Sequence, residues 1–261
     1  MRSSAARQFR TATTNLEKWL QVVDNVAYLS RTAVPKGDRK RYVVGARRVV
    51  TAARAMGTSR AIVPFEGAYL YVCAEFEWAV RELIEDFGNS VALKVKRFSD
   101  LPERLQKRNV TSSAIILGDF DADRFPALTQ FDVISKLHTC LDPSTPDHGY
   151  EICEEALSYS RRNFRWKVIK EVFGDLGVAN MMATMSADGK VQKALGVSSA
   201  GTVESMLPRE LDQIIDTRNR IIHRSGVFTS PTSADVRRII KTLRAIVSGL
   251  EKVLTSHYRT L

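Results

Sequence analysis

The stretch PRELDQIIDTRNRIIHRSG, residues 208–226, decides how the chain is interpreted. Its spacing predicts a helix that begins at Pro208, a favourable first helical position, and ends near Gly226. At about 100° per residue, its large aliphatic side chains fall on one apolar stripe. They are Leu211, Ile214, Ile215, Ile221 and Ile222. Arg218 falls in the middle of this stripe, at a position that an apolar residue would normally occupy.

Arg218 therefore needs an explanation, because burying an unpaired cation is costly. One alternative is a structural ion pair with a buried acid of the segment 65–87, such as Glu75 or Glu77, since buried charges are normally paired. The other is a stripe that forms a subunit seam and opens onto a polar cleft, where Arg218 faces an anion. Periodicity leaves both alternatives open.

A polar face lies beside the stripe and carries Asp212, Asp216, Asn219 and His223. An Arg, an Asn and a His at a helix end supply a cation with forked donors, an orienting amide and a group that exchanges protons near neutral pH. This combination favours phosphodiester chemistry. Arg218 and His223 are five residues apart, about 140° around a helix axis. A frayed helix end or a second subunit is therefore needed to aim both at one atom.

The positive charge of the chain is concentrated near its N-terminus. Residues 1–60 contain 13 Lys and Arg against 3 Asp and Glu, and account for the whole net charge of +10. Such a region attracts polyanions without selecting a sequence, so RNA is the expected partner. An anionic membrane surface and a merely solubilising face are the alternatives. The residues expected to bind RNA are Arg39, Lys40, Arg41, Arg47 and Arg48, with Arg220 and Arg224 beside the motif.

The remaining apolar spacing predicts an all-α chain. The predicted helices are 14–29, 40–56, 65–87, 100–109, 164–176, 178–195, 208–224 and 233–256. Residues 91–150 are the least regular part, with 91–98 read as a strand or an extended arm and 140–149 as a loop. We expect a basic helical extension over 1–60 and a helical domain over 61–261 with an insert around 91–160.

The segment 160–167 (SRRNFRWK) interleaves cations with two aromatic side chains. It predicts either an RNA grip in which a base stacks on an aromatic ring or the start of an amphipathic helix. In the second case Phe164 and Trp166 belong to the core, and this interpretation is favoured.

Membrane spans and secretion are not expected. No stretch approaches 18 uncharged apolar residues, and the N-terminus has no apolar signal region. The sparse cysteines Cys73, Cys140 and Cys153 suit a reducing cytoplasm. With His138 and His148, two of them match no ordinary zinc spacing, so no metal and no cofactor is predicted.

The segment 211–226 resembles the signature of the HEPN superfamily of helical RNA-processing proteins, and more narrowly its RiboL-PSP branch. That signature is an Arg four to six residues before a His, often with Asn directly after the Arg. Here these residues are Arg218, Asn219 and His223. The resemblance covers roughly 65–90 and 165–256.

The resemblance implies a metal-independent endoribonuclease, usually a homodimer, that uses the 2′-hydroxyl of RNA as its nucleophile. Arg218 and His223 would be the catalytic pair, and Asn219 would orient the helix end or the scissile group. Glu75, Glu77, Asp212 and Asp216 would be auxiliaries that hold Arg218 or cap neighbouring helices.

The family also suggests a toxin or an effector of phage defence, with a neutralising or regulatory protein as a further partner. Two alternatives remain at this point. One is a non-catalytic HEPN module that binds RNA or a protein, and the other is a helical interaction domain whose motif is coincidental.

Overall fold

The structure is a computed structural model, and it describes residues 3–31, 48, 50, 51, 62–123, 125–223 and 229–261. Within these residues the regular secondary structure is entirely helical, which confirms the prediction of an all-α chain. The α-helices with defined bounds are α1 (Ala5–Arg31), α2 (Ile62–Lys94), α3 (Glu103–Gly118), α4 (Gln130–Leu141), α5 (Glu154–Ser158), α6 (Trp166–Asp175), α7 (Met181–Ser186), α8 (Gly189–Leu195), α9 (Ala200–His223) and α10 (Ser233–Thr260). A short 3₁₀ turn covers Phe98–Asp100.

Helix α2 lies at the centre of the fold and packs against α1, α5, α9 and α10. Its apolar residues are buried on several of its faces, because these helices surround it. Phe76, Leu83 and Phe87 are fully buried. Helix α1 joins the same core through Phe9 and Leu20. The motif helix α9 is therefore held by the best-packed element of the molecule.

Helix α9 begins eight residues earlier than the sequence predicted. Pro208 lies inside it rather than at its start. Proline in a helix interior removes one backbone hydrogen bond and costs about 3 kcal/mol. Val203 and Leu207 are both fully buried and continue the apolar stripe toward the N-terminus in line with Leu211. Their burial explains why the helix extends through the proline.

The apolar stripe is also narrower than predicted at the last turn of α9. Ile221 is buried there, whereas Ile222 is 45% exposed. Only one side of this turn is covered by neighbouring helices. Within one chain, Ile222 therefore lies at the exposed end of the stripe.

The middle of the chain is more helical than its composition indicated. Residues 91–94 continue α2, so the strand or arm predicted for this stretch was wrong there. Helix α3 extends the predicted helix 100–109 to Gly118. Helix α4 was not predicted, although Thr129 and Asp132 form a reciprocal capping box at its start. A small second core formed by Ile116, Leu128, Val133, Cys153 and Ala156 holds this part together.

Three smaller expectations have different outcomes. The predicted helix 178–195 is two short helices, α7 and α8, with Asp188 capping the second. The predicted helix 40–56 falls mostly outside the described residues, but positions 48, 50 and 51 are helical. No helix among the described residues is long and apolar enough to cross a membrane.

Candidate functional site

The site is built where the C-terminal half of α9 crosses one face of α2. Tyr69, Cys73 and Glu77 lie one turn apart on that face. The Tyr69 hydroxyl donates a hydrogen bond of 3.2 Å to the Ile214 carbonyl of α9, which fixes the two helices at this level. Arg218 lies half-buried one turn further along α9. Its positive charge acts on both Cys73 and Glu77.

Burial dominates the electrostatics of this face. It raises the pKa of the Glu77 carboxyl, while the charges of Arg218 and Arg81 and the backbone N–H of Phe164 act in the opposite direction. Burial likewise raises the pKa of the Cys73 thiol to about 12. The Glu77 Oε1 atom is buried without a hydrogen-bond partner among the described residues. Glu77 is thus a partly buried acid with one unmet acceptor oxygen.

Two acids of α2 were expected to pair with Arg218. Glu77 lies on the face of α2 that contacts α9, whereas Glu75 lies on a different face. Glu75 lines a groove against α1 and accepts a hydrogen bond from Tyr71. Within the part of the chain that is described, no carboxylate oxygen lies within 4.0 Å of the Arg218 guanidinium. Arg218 therefore feels the field of Glu77 without forming an ion pair with it.

Asn219 holds the Arg218 guanidinium in place. The Arg218 Nη1 atom donates to the Asn219 Oδ1 atom at 3.0 Å. The same oxygen accepts from the Nδ2 atom of Asn163 at 3.1 Å. Asn163 was not singled out by sequence reasoning, because only the tertiary fold brings its loop to α9. Its place in the noted segment 160–167 was the available signal.

The polar face of α9 docks the chain segment that leads into α6. Asp216 forms an ion pair with Arg165. The Asp212 Oδ1 atom accepts the backbone N–H of Trp166 at 3.1 Å, and Trp166 is the first residue of α6. Asp212 thus satisfies one of the free N–H groups at a helix start. Both aspartates are engaged in joining α9 to α6.

The segment 160–167 is part of the core rather than a platform for bases. Phe164 is fully buried and Trp166 nearly so, while Arg161 and Lys167 are exposed. This is the amphipathic helix start favoured by the sequence.

His223 is the last residue of α9, and its side chain is exposed. No hydrogen bond joins it to Arg218 in the described structure. Arg220 is exposed and donates to the Thr217 hydroxyl at 3.2 Å. One chain thus presents a guanidinium held by Asn219 and an exposed imidazole at the end of the same helix.

The cationic positions expected to bind RNA lie largely outside the described residues. This applies to Arg39, Lys40, Arg41, Arg47 and Arg224. Arg48 is described, and it is helical and exposed.

The cysteines of the middle segment have ordinary hydrogen-bond partners. The Cys140 thiol donates to the Glu151 carbonyl at 3.1 Å, and the Cys153 backbone N–H donates to Asn109 at 3.1 Å. Within the described ranges, no three His, Cys, Asp or Glu side chains are grouped so that they could hold a metal ion.

An all-helical fold with Arg-Asn-x-x-x-His at the end of a buried helix has the architecture of the HEPN superfamily. The sequence profile of the RiboL-PSP-HEPN family matches residues 58–256, and the chain belongs to this family. The match includes residues 91–160, for which the motif-based resemblance offered no counterpart. No curated protein and no solved structure matches the chain. Family membership indicates a role in RNA cleavage or RNA binding.

Replacing Glu77 by glutamine should raise the stability of the fold, and more so at higher pH. The folded-state pKa of Glu77 is raised chiefly by burial. Its carboxyl therefore disfavours the folded state once the pH exceeds the ordinary glutamate value, and this penalty grows until the pH passes the raised pKa. Glu77→Gln removes that penalty. Melting temperatures measured from acidic to mildly alkaline pH should show the variant gaining on the wild type as pH rises.

The exposed residue Glu151 provides a control, because Glu151→Gln removes the same charge from the surface. A Glu77→Gln variant that loses stability relative to wild type as pH rises would contradict this account. It would mean that ionised Glu77 stabilises the fold through Arg218.

Proposed function

We propose that the protein is a metal-independent endoribonuclease. One observation carries the proposal: Arg218 is half-buried and held by Asn219, yet it has no carboxylate within ion-pair distance among the described residues. A guanidinium has five N–H donors in a fork that matches phosphate oxygens. Asn219 uses only one of the Arg218 nitrogen atoms. The other N–H donors are therefore available to bind an anion. His223 ends the same helix with its imidazole accessible.

The chemistry uses the 2′-hydroxyl of RNA as an internal nucleophile. Its oxygen forms a bond to the adjacent phosphorus, the bond from phosphorus to the 5′-oxygen breaks, and the hydroxyl proton passes to a base while the leaving oxygen gains a proton. His223 exchanges one of these protons. Arg218 stabilises the negative charge that builds on the non-bridging oxygens. The products are a 2′,3′-cyclic phosphate and a 5′-hydroxyl end.

A homodimer is part of the proposal, because a straight helix places Arg218 and His223 about 140° apart around its axis. A second copy would bring its own α9 to the same cleft, so that one phosphate meets Arg218 of one subunit and His223 of the other. The 45% exposure of Ile222, the residue before His223, leaves an apolar contact available at this end of α9.

The decisive experiment is incubation of the purified protein with total RNA in excess EDTA. We expect cleavage to persist and the fragments to carry 2′,3′-cyclic phosphate and 5′-hydroxyl ends. Arg209→Ala is a matched control, because Arg209 is exposed on α9 nine residues before Arg218, has no ion pair among the described residues and is not one of the residues expected to bind RNA. RNA that stays intact but bound under all conditions would instead identify a non-catalytic RNA-binding module.

We place this activity in a toxin or an effector of phage defence that a partner protein restrains. The setting is supported by the family alone. Inducible expression of the wild type should arrest growth, and expression of an Arg218→Ala chain at the same level should not. Equal growth with both chains would remove the toxin assignment while leaving the cleavage assay to decide the enzymatic one.

A further inference from the structure

A basic groove lies between α1, α8 and α10, on residues that the motif does not include. We use this name for the cavity of about 500 Å³ whose cationic lining residues are Arg10, Lys190, Lys193, Arg237, Lys241 and Arg244. Glu17 is the acidic residue among its lining residues. Apart from Arg10, these cations lie outside residues 1–60, and none of them belongs to the motif.

The cations of the basic groove outnumber the acids around them. Arg244 pairs with Glu17 at 3.0 Å, and Arg237 pairs with Asp24 at 3.0 Å. Arg10 and Lys190 share the field of Glu251. Lys193 and Lys241 are exposed and have no ion pair among the described residues. Among the residues that the structure describes, six cations thus face three carboxylates, and a net positive charge is left for a ligand to neutralise.

Arg244, one of the lining cations, is fixed in position by hydrogen bonds to α1. The Arg244 Nε atom donates to the Thr13 hydroxyl at 2.7 Å, and its Nη2 atom donates to the Thr14 hydroxyl at 3.0 Å. Thr13 is itself fully buried. Arg244 of α10 is therefore held by three side chains of α1, namely Thr13, Thr14 and Glu17. Its charge is fixed in position before any ligand binds.

The cations on α10 follow one face of the helix. Arg237, Lys241 and Arg244 are spaced at i, i+4 and i+7, which puts them in one row. With Ser248 at the far end, the row is about 16 Å long at 1.5 Å per residue. A row of this length suits an extended polyanion better than a single phosphate group.

We propose that the basic groove binds the phosphodiester backbone of single-stranded RNA. The inference rests on the proposed function, because it gives the substrate of that site a path along the same domain. Arg237 lies in the second turn of α10, the helix that follows the motif helix in the chain. No aromatic side chain lines the groove in the part of the chain that the structure describes, so the contacts are with phosphates and not with stacked bases. The binding is therefore insensitive to sequence and strongly dependent on salt.

The test measures binding separately from cleavage. The parent is the full-length His223→Ala chain, titrated against a fluorescently labelled oligouridylate at several salt concentrations. On this background, Lys193→Glu combined with Lys241→Glu should weaken binding roughly tenfold at low salt. The slope of log affinity against log salt should fall by about 1.4, since each phosphate contact on a single strand contributes about 0.7.

A matched control makes the same change of charge elsewhere. Lys96 and Lys107 are also exposed and have no ion pair among the described residues. Lys96→Glu combined with Lys107→Glu should keep both the affinity and the salt slope of the parent. Melting curves of both double variants verify that the exposed substitutions leave the fold intact.

The outcomes separate this inference from the proposed function. If both double variants bind like the parent, or if the parent itself fails to bind RNA, the groove assignment is overturned even where the wild type cleaves RNA. If the groove variant alone loses affinity while the wild type leaves RNA intact, the groove stands and the nuclease proposal fails. A groove variant that keeps its RNA affinity but no longer binds vesicles containing anionic lipid would mark a membrane surface and overturn the RNA assignment.

Discussion

His223→Ala is expected to lower the rate of RNA cleavage by roughly 10²- to 10⁴-fold, the range by which a positioned general acid or base accelerates a reaction. The structure gives a reason to expect a clean effect. His223 is exposed at the last position of α9 and has no hydrogen-bond partner among the described residues, so its removal disturbs no packing. Single-turnover rates on a defined RNA, measured with protein in excess, would report the chemical step.

The same variant should keep its RNA affinity and its melting temperature. Arg209→Ala is the control, because Arg209 is exposed on the same helix and belongs neither to the motif nor to the residues expected to bind RNA. A His223→Ala protein that cleaves at the wild-type rate would remove the histidine from the mechanism and leave Arg218 as an anion-binding residue.

The sequence was sufficient to find α9, its stripe and the unusual position of Arg218, because one helix and its period contain that information. It did not decide between Glu75 and Glu77. These residues are two positions apart and so about 200° apart around α2. Which of them faces α9 depends on how α2 is rotated, and the contact of Tyr69 with Ile214 fixes that rotation.

The partners of Asp212 and Asp216 could not be predicted for a different reason, although a capping role was among those expected of these acids. Their partners, the Trp166 backbone and Arg165, lie some fifty residues away in the chain, and no local pattern encodes such a contact. Helix α4, in contrast, could have been predicted from the local sequence, because Thr129 and Asp132 have the spacing of a capping box. The predicted start of α9 was wrong because Pro208 favours a first helical position, whereas the burial of Val203 and Leu207 extends the helix beyond it.

Arg218→Ala should lower the cleavage rate by about 10²- to 10³-fold, the range found when a fixed donor to a developing negative charge is removed. Arg218→Lys should restore only part of the rate, because an ammonium lacks the planar fork that Asn219 and a phosphate can share. Stability should change little, because Arg218 forms no ion pair among the described residues. The pKa of the Glu77 carboxyl should rise further, since the loss of the guanidinium removes one of the charges that lower it.

Mixing the two inactive chains distinguishes a composite site from one built within a single subunit. If Arg218 of one subunit acts with His223 of the other, a mixed dimer of Arg218→Ala and His223→Ala chains contains one site with both groups intact. Co-refolding the two variants should then restore a fraction of the wild-type rate. If both groups act from the same chain, each site in the mixed dimer lacks one of them and the mixture stays inactive. The second result would require the end of α9 to unwind when RNA binds, since a straight helix holds the two side chains about 140° apart.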